Sequence, residues 1–273
     1  MRKWLWALVA VFLLGVVSPG MAAEADLKIK LFKSGKADAF LFRYGDFAML
    51  LDAGEADDAE DTLAYAREKG VTRLDVVILT HFDQGHIGGM PEILATMPVG
   101  RVILPDAHKD SHASRALYQS LMAAGITPEY VTEPLRIAQD GLELIILPAT
   151  EAYSDPGDDD QDDSSLVVSA IHGENRLLFT GDIRSRRMDE LLSSDMDLQH
   201  TFLKVPAHGR NEEALPRFLD AVHPRYAVIT CSDKNPPAGA VLDALATRGI
   251  QVWLTKDGDI ALTSDGRNIT FKQ

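Results

Sequence analysis

Histidine and aspartate side chains are concentrated in one ten-residue segment, Thr80–Gly89, which reads THFDQGHIGG. His81 and Asp83 are two residues apart, so in an extended backbone both side chains point to the same side. His86 follows three residues later, and Gly85 allows the turn that would bring it back to the same point. Two imidazoles and a carboxylate that converge within a short segment are a typical ligand set for a divalent metal ion. The segment therefore predicts a metal site.

A surface loop that happens to hold two histidines is the plain alternative for this segment, and its position in the chain argues against it. The segment directly follows Leu74–Leu79, a continuous apolar run that is typical of a buried strand. Side chains that follow a buried strand lie at the edge of a sheet, where binding sites usually form. We therefore favour the metal site over the surface loop.

Two further segments end an apolar run with a residue that can bind metal. Leu177–Asp182 reads LLFTGD and places the Asp182 carboxylate just beyond a strand. Phe202–Gly209 reads FLKVPAHG and does the same for His208. Alone, such an aspartate is usually a helix cap and such a histidine is usually structural. Three strand ends that each present a possible ligand form a set that metal or acid–base chemistry uses readily.

The elements that must position these side chains follow a mixed hydrophobic pattern. Leu27–Leu31 and Ala39–Tyr44 predict the first two strands, and strand hairpins then alternate with single helices along the chain. This pattern favours packed sheets covered by helices over a purely parallel sheet. Residues 80–89 are predicted to be a loop throughout, and no element is predicted for residues 126–140.

The motifs resemble those of the metallo-β-lactamase superfamily, and most closely the lactamase-like domain of ComEC-type DNA-uptake proteins and their stand-alone relatives. In that group the first loop reads T-H-x-D-x-D-H-x-G-G, and six of its positions are in register here. The other motifs of the group match more approximately. The matching segments are Thr80–Gly89, Ala37–Ala39, Asp52–Gly54, Ser165–Val168, Leu177–Asp182, Leu203–Arg210 and Pro224–Thr230.

The resemblance implies an α/β fold, the four-layer αβ/βα sandwich of the metallo-β-lactamase type, as a single domain over residues 23–273. It also implies a metal site at one edge of two facing sheets. The divalent metal would be zinc, with manganese and iron as alternatives, because nitrogen and oxygen donors are mixed. Asp83 or Asp182 would orient the attacking water. The implied metal ligands are His81, Asp83, His86, Asp182 and His208.

Two departures from the motifs of the group remove possible ligands from the side of the site that would bind a second metal. Gly85 stands where the group has the second aspartate of the first loop, and Ala207 replaces the first of two paired histidines. The remaining set suits one metal better than two. His108 and His112 lie four residues apart in a polar, turn-like stretch, so we predict a solvated loop for them rather than a metal site.

The first 22 residues predict a secretory signal peptide that is not part of the fold. Arg2 and Lys3 precede the apolar run Trp4–Val17, and alanines at positions 22, 23 and 25 offer cleavage sites. The run is short for a full membrane span, so cleavage is favoured over an anchor helix that stays in place. We expect a bacterial periplasmic or secreted protein with no stable membrane anchor after cleavage.

The chain of 273 residues carries 27 basic and 41 acidic side chains, a formal charge of −14. Sequence-independent binding of nucleic acid needs a basic face, so this balance disfavours it. Six acids lie in Asp155–Asp163, which we predict to be a solvated loop. The resemblance implies an alternative, because in that group a ligand can come from the residue just before the S-L-V motif, so that Asp162 or Asp163 would reach the metal. A small-molecule substrate is therefore favoured over nucleic acid.

Three functions are consistent with these features. The first is an exported metal-dependent hydrolase that uses a metal-activated water on an ester, a phosphodiester or an amide. The second is a degenerate binding protein of the same fold, with one metal or none and no catalysis, which Gly85 and Ala207 favour. The third is a nuclease linked to DNA uptake, which only the resemblance supports. The oligomeric state stays open.

Overall fold

Strands and helices alternate through the part of the chain that the structure, a computed structural model, describes: residues 25–150 and 162–273. The strands are β1 (Leu27–Leu31), β2 (Ala39–Tyr44), β3 (Phe47–Ala53), β4 (Leu74–Ile78), β5 (Val99–Pro105), β6 (Glu129–Val131), β7 (Leu135–Gln139), β8 (Leu142–Leu147), β9 (Val167–His172), β10 (Asn175–Phe179), β11 (Phe202–Lys204), β12 (Tyr226–Ile229), β13 (Gln251–Leu254), β14 (Ile260–Ser264) and β15 (Ile269–Lys272). The α-helices are α1 (Ala59–Glu68), α2 (Gln84–Ile87), α3 (Met90–Thr96), α4 (His112–Ala124), α5 (Ser185–Ser193), α6 (Leu215–Val222) and α7 (Gly239–Thr247).

The strands form two sheets of similar construction. The first has the order β15-β14-β1-β2-β3-β4-β5-β6, and the second has the order β13-β12-β11-β10-β9-β8-β7. Strands β3 to β6 run parallel to one another, and so do β10 to β13, whereas the remaining neighbours are antiparallel. Each parallel set is reached through crossover helices, as parallel pairing requires.

Three apolar clusters separate four layers. Between the sheets, inward side chains pack against each other, and the rings of Phe42 and Phe179 lie 5.1 Å apart. A second cluster joins the outer face of the first sheet to α1, α3 and α4, and includes Leu63 and Leu117. A third joins the second sheet to α5, α6 and α7, and includes Phe218. The predicted αβ/βα sandwich is therefore confirmed.

The parallel strands of both sheets direct their ends to one edge of the sandwich. Asp52 lies at the end of β3, His81 follows β4, and Asp182 follows β10. Two antiparallel neighbours begin at the same edge: Asp38 immediately precedes β2, and Asp162 lies in a 3₁₀ turn just before β9. The topology thus collects residues from distant parts of the sequence at one point.

Two local predictions were wrong. Residues 80–89, predicted to be a loop, contain the one-turn helix α2, and the glycine within it, Gly85, argued against a helix on propensity grounds. Residues 126–140, for which no element was predicted, contain the edge strands β6 and β7. Both are short and mostly exposed, so they lack the apolar run that marks the inner strands.

The predicted signal peptide and most of the acidic run lie outside the described residues. The boundary of a single domain at residues 23–273 stays a prediction. Within residues 25–150 and 162–273, no helix combines the length and the apolar character that crossing a bilayer requires.

Candidate metal centre

All five residues of the predicted ligand set lie at the shared edge of the two sheets. Possible ligand atoms of His81, His86 and Asp182 are within 4.8 Å of one another. The Nε2 atom of His208 is 2.9 Å from Asp182 Oδ2, and the Nε2 atom of His86 is 3.7 Å from the same oxygen. Asp83 joins the group through His81. Whether these atoms bind a metal stays a prediction, but their convergence meets the first requirement for it.

His81 is held in the tautomer that a metal requires. The Thr80 hydroxyl donates its one proton to Asp52 Oδ2 (2.8 Å), so it accepts a bond from His81 Nδ1 (3.0 Å). The Nε2 atom of His81 is buried and has no hydrogen-bond partner among the described residues. Burial, and then the charge of His86, lower the pKa of His81 to about 3. A neutral imidazole with an unpartnered, inward-facing nitrogen is suited to bind a cation.

His86 is oriented by a buried carboxylate. Its Nδ1 atom lies 2.8 Å from Asp52 Oδ2, and Asp52 Oδ1 accepts a bond of 2.7 Å from the Thr80 backbone N–H. Burial opposes the positive charge on His86, but Asp52 and Asp182 outweigh it and raise the pKa of His86 well above its usual range. Asp52 also has a φ of 55°, which is unusual for a residue other than glycine and marks a constrained site.

His208 lies in a tight left-handed turn beyond β11. Ala207, His208 and Gly209 all have positive φ values, of 46°, 54° and 74°. The turn is fixed in part by Thr230, whose hydroxyl lies 2.8 Å from His208 Nδ1, so that Nε2 points at Asp182. A non-glycine pair held in this region indicates a conformation that the site requires and the surrounding packing supports.

Asp182 is the residue shared by all these contacts. Burial disfavours its charge, but His208, Lys204 and His86 together hold the pKa of this carboxyl well below its usual range. Gly181 precedes it with a φ of 53°, and a Cβ there would lie 3.0 Å from side-chain atoms of Ser165 and Thr80. A glycine is therefore needed to bring this carboxylate into the site.

A second carboxylate, Asp162, lies beside Asp83. Possible ligand atoms of His81, Asp83 and Asp162 are within 4.8 Å of one another. Burial, followed by the charges of Asp182 and Asp83, raises the pKa of Asp162 to about 7. Asp83 is half-exposed and forms an ion pair of 2.7 Å with Lys109. Carboxylates that are driven together in this way favour a bound cation.

The interpretation of this acidic segment as a solvated loop is wrong at its described end. Asp163 is 8% exposed, and its Oδ1 atom accepts a bond of 2.6 Å from the backbone N–H of Arg184, which caps the start of α5. Asp162 faces the site, as described above. Residues 155–161 lie outside the described part of the chain.

The sequence did not single out two further buried residues of the site, Asp38 and Lys204. Lys204 Nζ lies 2.6 Å from Asp38 Oδ2 and 3.2 Å from Asp182 Oδ1. Both residues stand within matched motifs, which is the only signal that could have drawn attention to them. Thr80, Asp52 and Thr230 were also missed, because their role is to orient other side chains.

Gly85, which replaces an aspartate of the motif, is closely packed against Lys36 and Ala37. A Cβ at this position would lie 3.1 Å from the Lys36 carbonyl oxygen and 3.3 Å from Ala37 Cβ. The backbone is also tied here, because Asp38 N–H donates a bond of 3.0 Å to the Gly85 carbonyl. A side chain at position 85 would therefore require Lys36 and Ala37 to shift by a few tenths of an ångström.

Among the described residues, none of the other five histidines belongs to a group of possible metal ligands. The predicted loop is present at His108, but it is wrong for His112, which begins α4 and lines a surface groove. His172 contacts Ser264, His200 is hydrogen-bonded between Ser169 and Leu198, and His223 ends α6.

Comparisons with known proteins bear on the family and the fold of this chain. A family model described as the metallo-beta-lactamase superfamily matches residues 34–232. ComE operon protein 3 of Bacillus subtilis is 27% identical over 213 residues, and competence protein ComA of Neisseria gonorrhoeae is 24% identical over 263 residues. These alignments cover 77% and 93% of this chain but 27% and 34% of those proteins. The chain therefore spans about a third or less of their length.

A solved structure supports the fold independently. The metallo-β-lactamase fold protein YhfI from Bacillus subtilis superposes with a TM-score of 0.56 at 13% identity, covering 88% of this chain and all of that one. At this identity the likeness shows the fold alone. The family match extends over well more than half of the chain, and together with the sandwich architecture it shows that this protein belongs to the metallo-β-lactamase superfamily.

Proposed function

We propose that this protein is an exported, metal-dependent hydrolase. The observation that carries the proposal is the buried, unpartnered Nε2 atom of His81 in a cluster with His86, Asp182 and His208. A nitrogen left without a partner in a buried site is costly unless something binds it. The three neighbouring side chains offer nitrogen and oxygen donors of the kinds that zinc, manganese and iron accept.

The donor set fits one divalent ion. His81, His86, Asp182 and His208 would hold it, and Asp83 and Asp162 lie beside His81 as further oxygen donors. Such an ion would supply Lewis acidity, which lowers the pKa of a water molecule and polarises the carbonyl or phosphoryl oxygen of the substrate.

The protein's own side chains would direct the chemistry. Asp52 keeps His86 facing inward, and Thr80 does the same for His81. Asp83 and Asp162 lie at the more exposed side of the cluster, where a carboxylate can accept a proton from the attacking water. A pKa of about 7 suits Asp162 to exchange protons at neutral pH.

We propose a small-molecule ester, phosphodiester or amide as the substrate. Three carboxylates, Asp83, Asp162 and Asp182, converge on His81, so an extended polyanion would be repelled from this edge. The signal-like first 22 residues support a periplasmic or secreted location.

A nuclease linked to DNA uptake is one alternative, because one relative is named a competence protein. A degenerate binding protein of the same fold is the other alternative, because Gly85 and Ala207 replace residues of the motifs. A panel of chromogenic phosphodiester, ester and β-lactam substrates, with single-stranded and double-stranded DNA beside them, separates the three. Turnover of a small substrate that is lost in His81→Ala supports the proposal. Cleavage of DNA alone would replace it with the nuclease, and metal binding without turnover would replace it with the binding protein.

A further inference from the structure

Lys204, at the end of β11, is a fully buried lysine in contact with the proposed metal site. Its side chain is 0% exposed. The Nζ atom has three oxygens in reach: Asp38 Oδ2 at 2.6 Å, the Gly181 carbonyl at 2.9 Å and Asp182 Oδ1 at 3.2 Å. The contacts with the Gly181 carbonyl and with Asp182 Oδ1 are hydrogen bonds, and the contact with Asp38 is an ion pair. The buried charge is therefore fixed in position as well as compensated.

The two oxygens of Asp182 have different partners as a result. Oδ1 faces the Lys204 ammonium, whereas Oδ2 faces the Nε2 atoms of His208 and His86 at 2.9 Å and 3.7 Å. A carboxylate that is free to rotate could present either oxygen or both to a cation. Here the hydrogen bond to Lys204 favours one orientation.

Asp38 is the second carboxylate that pairs with the Lys204 ammonium. It is 0% exposed and lies directly before β2, in the first sheet, whereas Lys204 belongs to the second sheet. Its backbone N–H is tied to Gly85, so this carboxylate is anchored to the loop that carries His81 and His86. The Asp38–Lys204–Asp182 chain thus connects the ligand loop to the second sheet.

The balance of buried charges is consistent with Lys204 acting beside one bound metal ion. Asp38, Asp52 and Asp182 are the fully or nearly fully buried carboxylates of the site. When all three are ionised, the Lys204 ammonium and one divalent ion together neutralise them, and the histidines can remain neutral ligands. Buried charges persist when they are paired in this way.

We propose that Lys204 is a positioning residue, which, held by Asp38, turns Asp182 so that only Oδ2 is available to the metal. This inference rests on the proposed function, because it presumes that a metal binds at this site. A positioning role and simple charge compensation predict opposite changes in metal affinity when Lys204 is replaced. Removing a positive charge near a cation site should strengthen metal binding, whereas losing the orientation of a ligand should weaken it.

Lys204→Met tests the proposal, because methionine fills similar space without the ammonium. We expect zinc affinity, measured by competition with a chromophoric chelator, to fall about 10- to 100-fold, the range found when a group that orients a ligand is lost. The absorption spectrum of the cobalt-loaded variant should also change. The matched control is Arg187→Met, which removes another buried cation, at 1% exposure and paired with Glu190 in α5. This control should keep the wild-type affinity and spectrum.

Three results would overturn the inference, and they separate it from the proposed function. Equal or tighter zinc binding by Lys204→Met refutes positioning and leaves the hydrolase proposal intact. Absence of metal binding by the wild-type protein would refute both the positioning role of Lys204 and the hydrolase proposal. A crystal structure of the zinc-loaded wild type provides a test that does not depend on a variant folding: Oδ2 alone should bind the metal while Oδ1 stays on Lys204, and a metal bound to both oxygens would contradict the inference.

Discussion

The link between Asp52 and His86 gives the sharpest prediction about the site. Asp52 accepts three hydrogen bonds, from the Thr80 backbone N–H, the Thr80 hydroxyl and His86 Nδ1, at 2.7, 2.8 and 2.8 Å. Asp52→Asn keeps the shape and one accepting oxygen, which can stay on the Thr80 N–H. The amide group then faces two donors, so His86 must give up its Nδ1 proton and carry a proton on Nε2 instead. A protonated Nε2 cannot bind a metal.

The size of the effect follows from these contacts. Loss of a hydrogen bond to a charged group costs about 1.5 to 3 kcal/mol. If metal binding loses this free energy, the dissociation constant for the metal rises roughly 10- to 100-fold. We therefore expect Asp52→Asn to bind zinc about 10- to 100-fold more weakly than the wild type, and to remain folded.

Chelator competition measures the affinity, and nitrogen chemical shifts of the imidazole report the tautomer of His86 in the metal-free protein at pH 8. The matched control is Asp163→Asn, a buried carboxylate that caps α5 and keeps its accepting Oδ1. The control should lose less than about 1 kcal/mol of stability and no affinity for zinc. A folded Asp52→Asn protein with zinc affinity within about twofold of the wild type would refute the reasoning.

Three more predictions concern charge and packing. Asp162 has a folded-state pKa of about 7, above its pKa in the unfolded chain, so the folded protein loses stability as pH rises from about 4 to 7 and this carboxyl ionises. Asp162→Asn should therefore stabilise the metal-free protein by about 1 to 3 kcal/mol at pH 8 and not at pH 4, as measured by urea unfolding with chelator present. Equal stability of variant and wild type at pH 8 would contradict this. His86 has a raised pKa and must lose a proton to bind metal, so zinc affinity should rise about tenfold per pH unit between pH 6 and 7, and a flat profile in a calorimetric titration would show the assignment to be wrong. Gly85→Ala should destabilise the protein by about 1 to 3 kcal/mol, because its Cβ would lie 3.3 Å from that of Ala37. The double variant with Ala37→Gly should lose less unfolding free energy than the sum of the losses of the two single variants. Strictly additive losses would exclude this contact as the cause.

The fold was predictable from the sequence where burial leaves a simple pattern. Leu27–Leu31 and Ala39–Tyr44 match the observed β1 and β2 to the residue, since each is an apolar or alternating run in the interior of a sheet. The short strand Glu129–Val131 has two exposed residues of three, and it forms only because β5 offers a free edge. Such pairing depends on a neighbour that local sequence does not contain.

The residues of the candidate site also differ in how far the sequence alone could identify them. His81, Asp83 and His86 share one short segment, so their residue types and spacing sufficed to single them out. Asp38 and Lys204 come from different sheets, and their contact depends on how the sheets are joined.

Orienting residues are the hardest to predict from sequence. Asp52, Thr80 and Thr230 each touch a histidine without facing the proposed metal. A lone threonine or aspartate at a strand end has many ordinary uses, so nothing in its residue type reveals this one. Their identification needs the hydrogen bonds themselves.

Metal content tests the central claim most directly. Wild-type protein should be purified, loaded with zinc and freed of excess ions, then subjected to elemental analysis beside His81→Ala. We expect about one equivalent of transition metal in the wild type and a clear loss in the variant, because His81 supplies the unpartnered nitrogen of the cluster. Less than about half an equivalent in folded, loaded wild-type protein, or an unchanged content in His81→Ala, would contradict a metal centre at this edge of the sandwich.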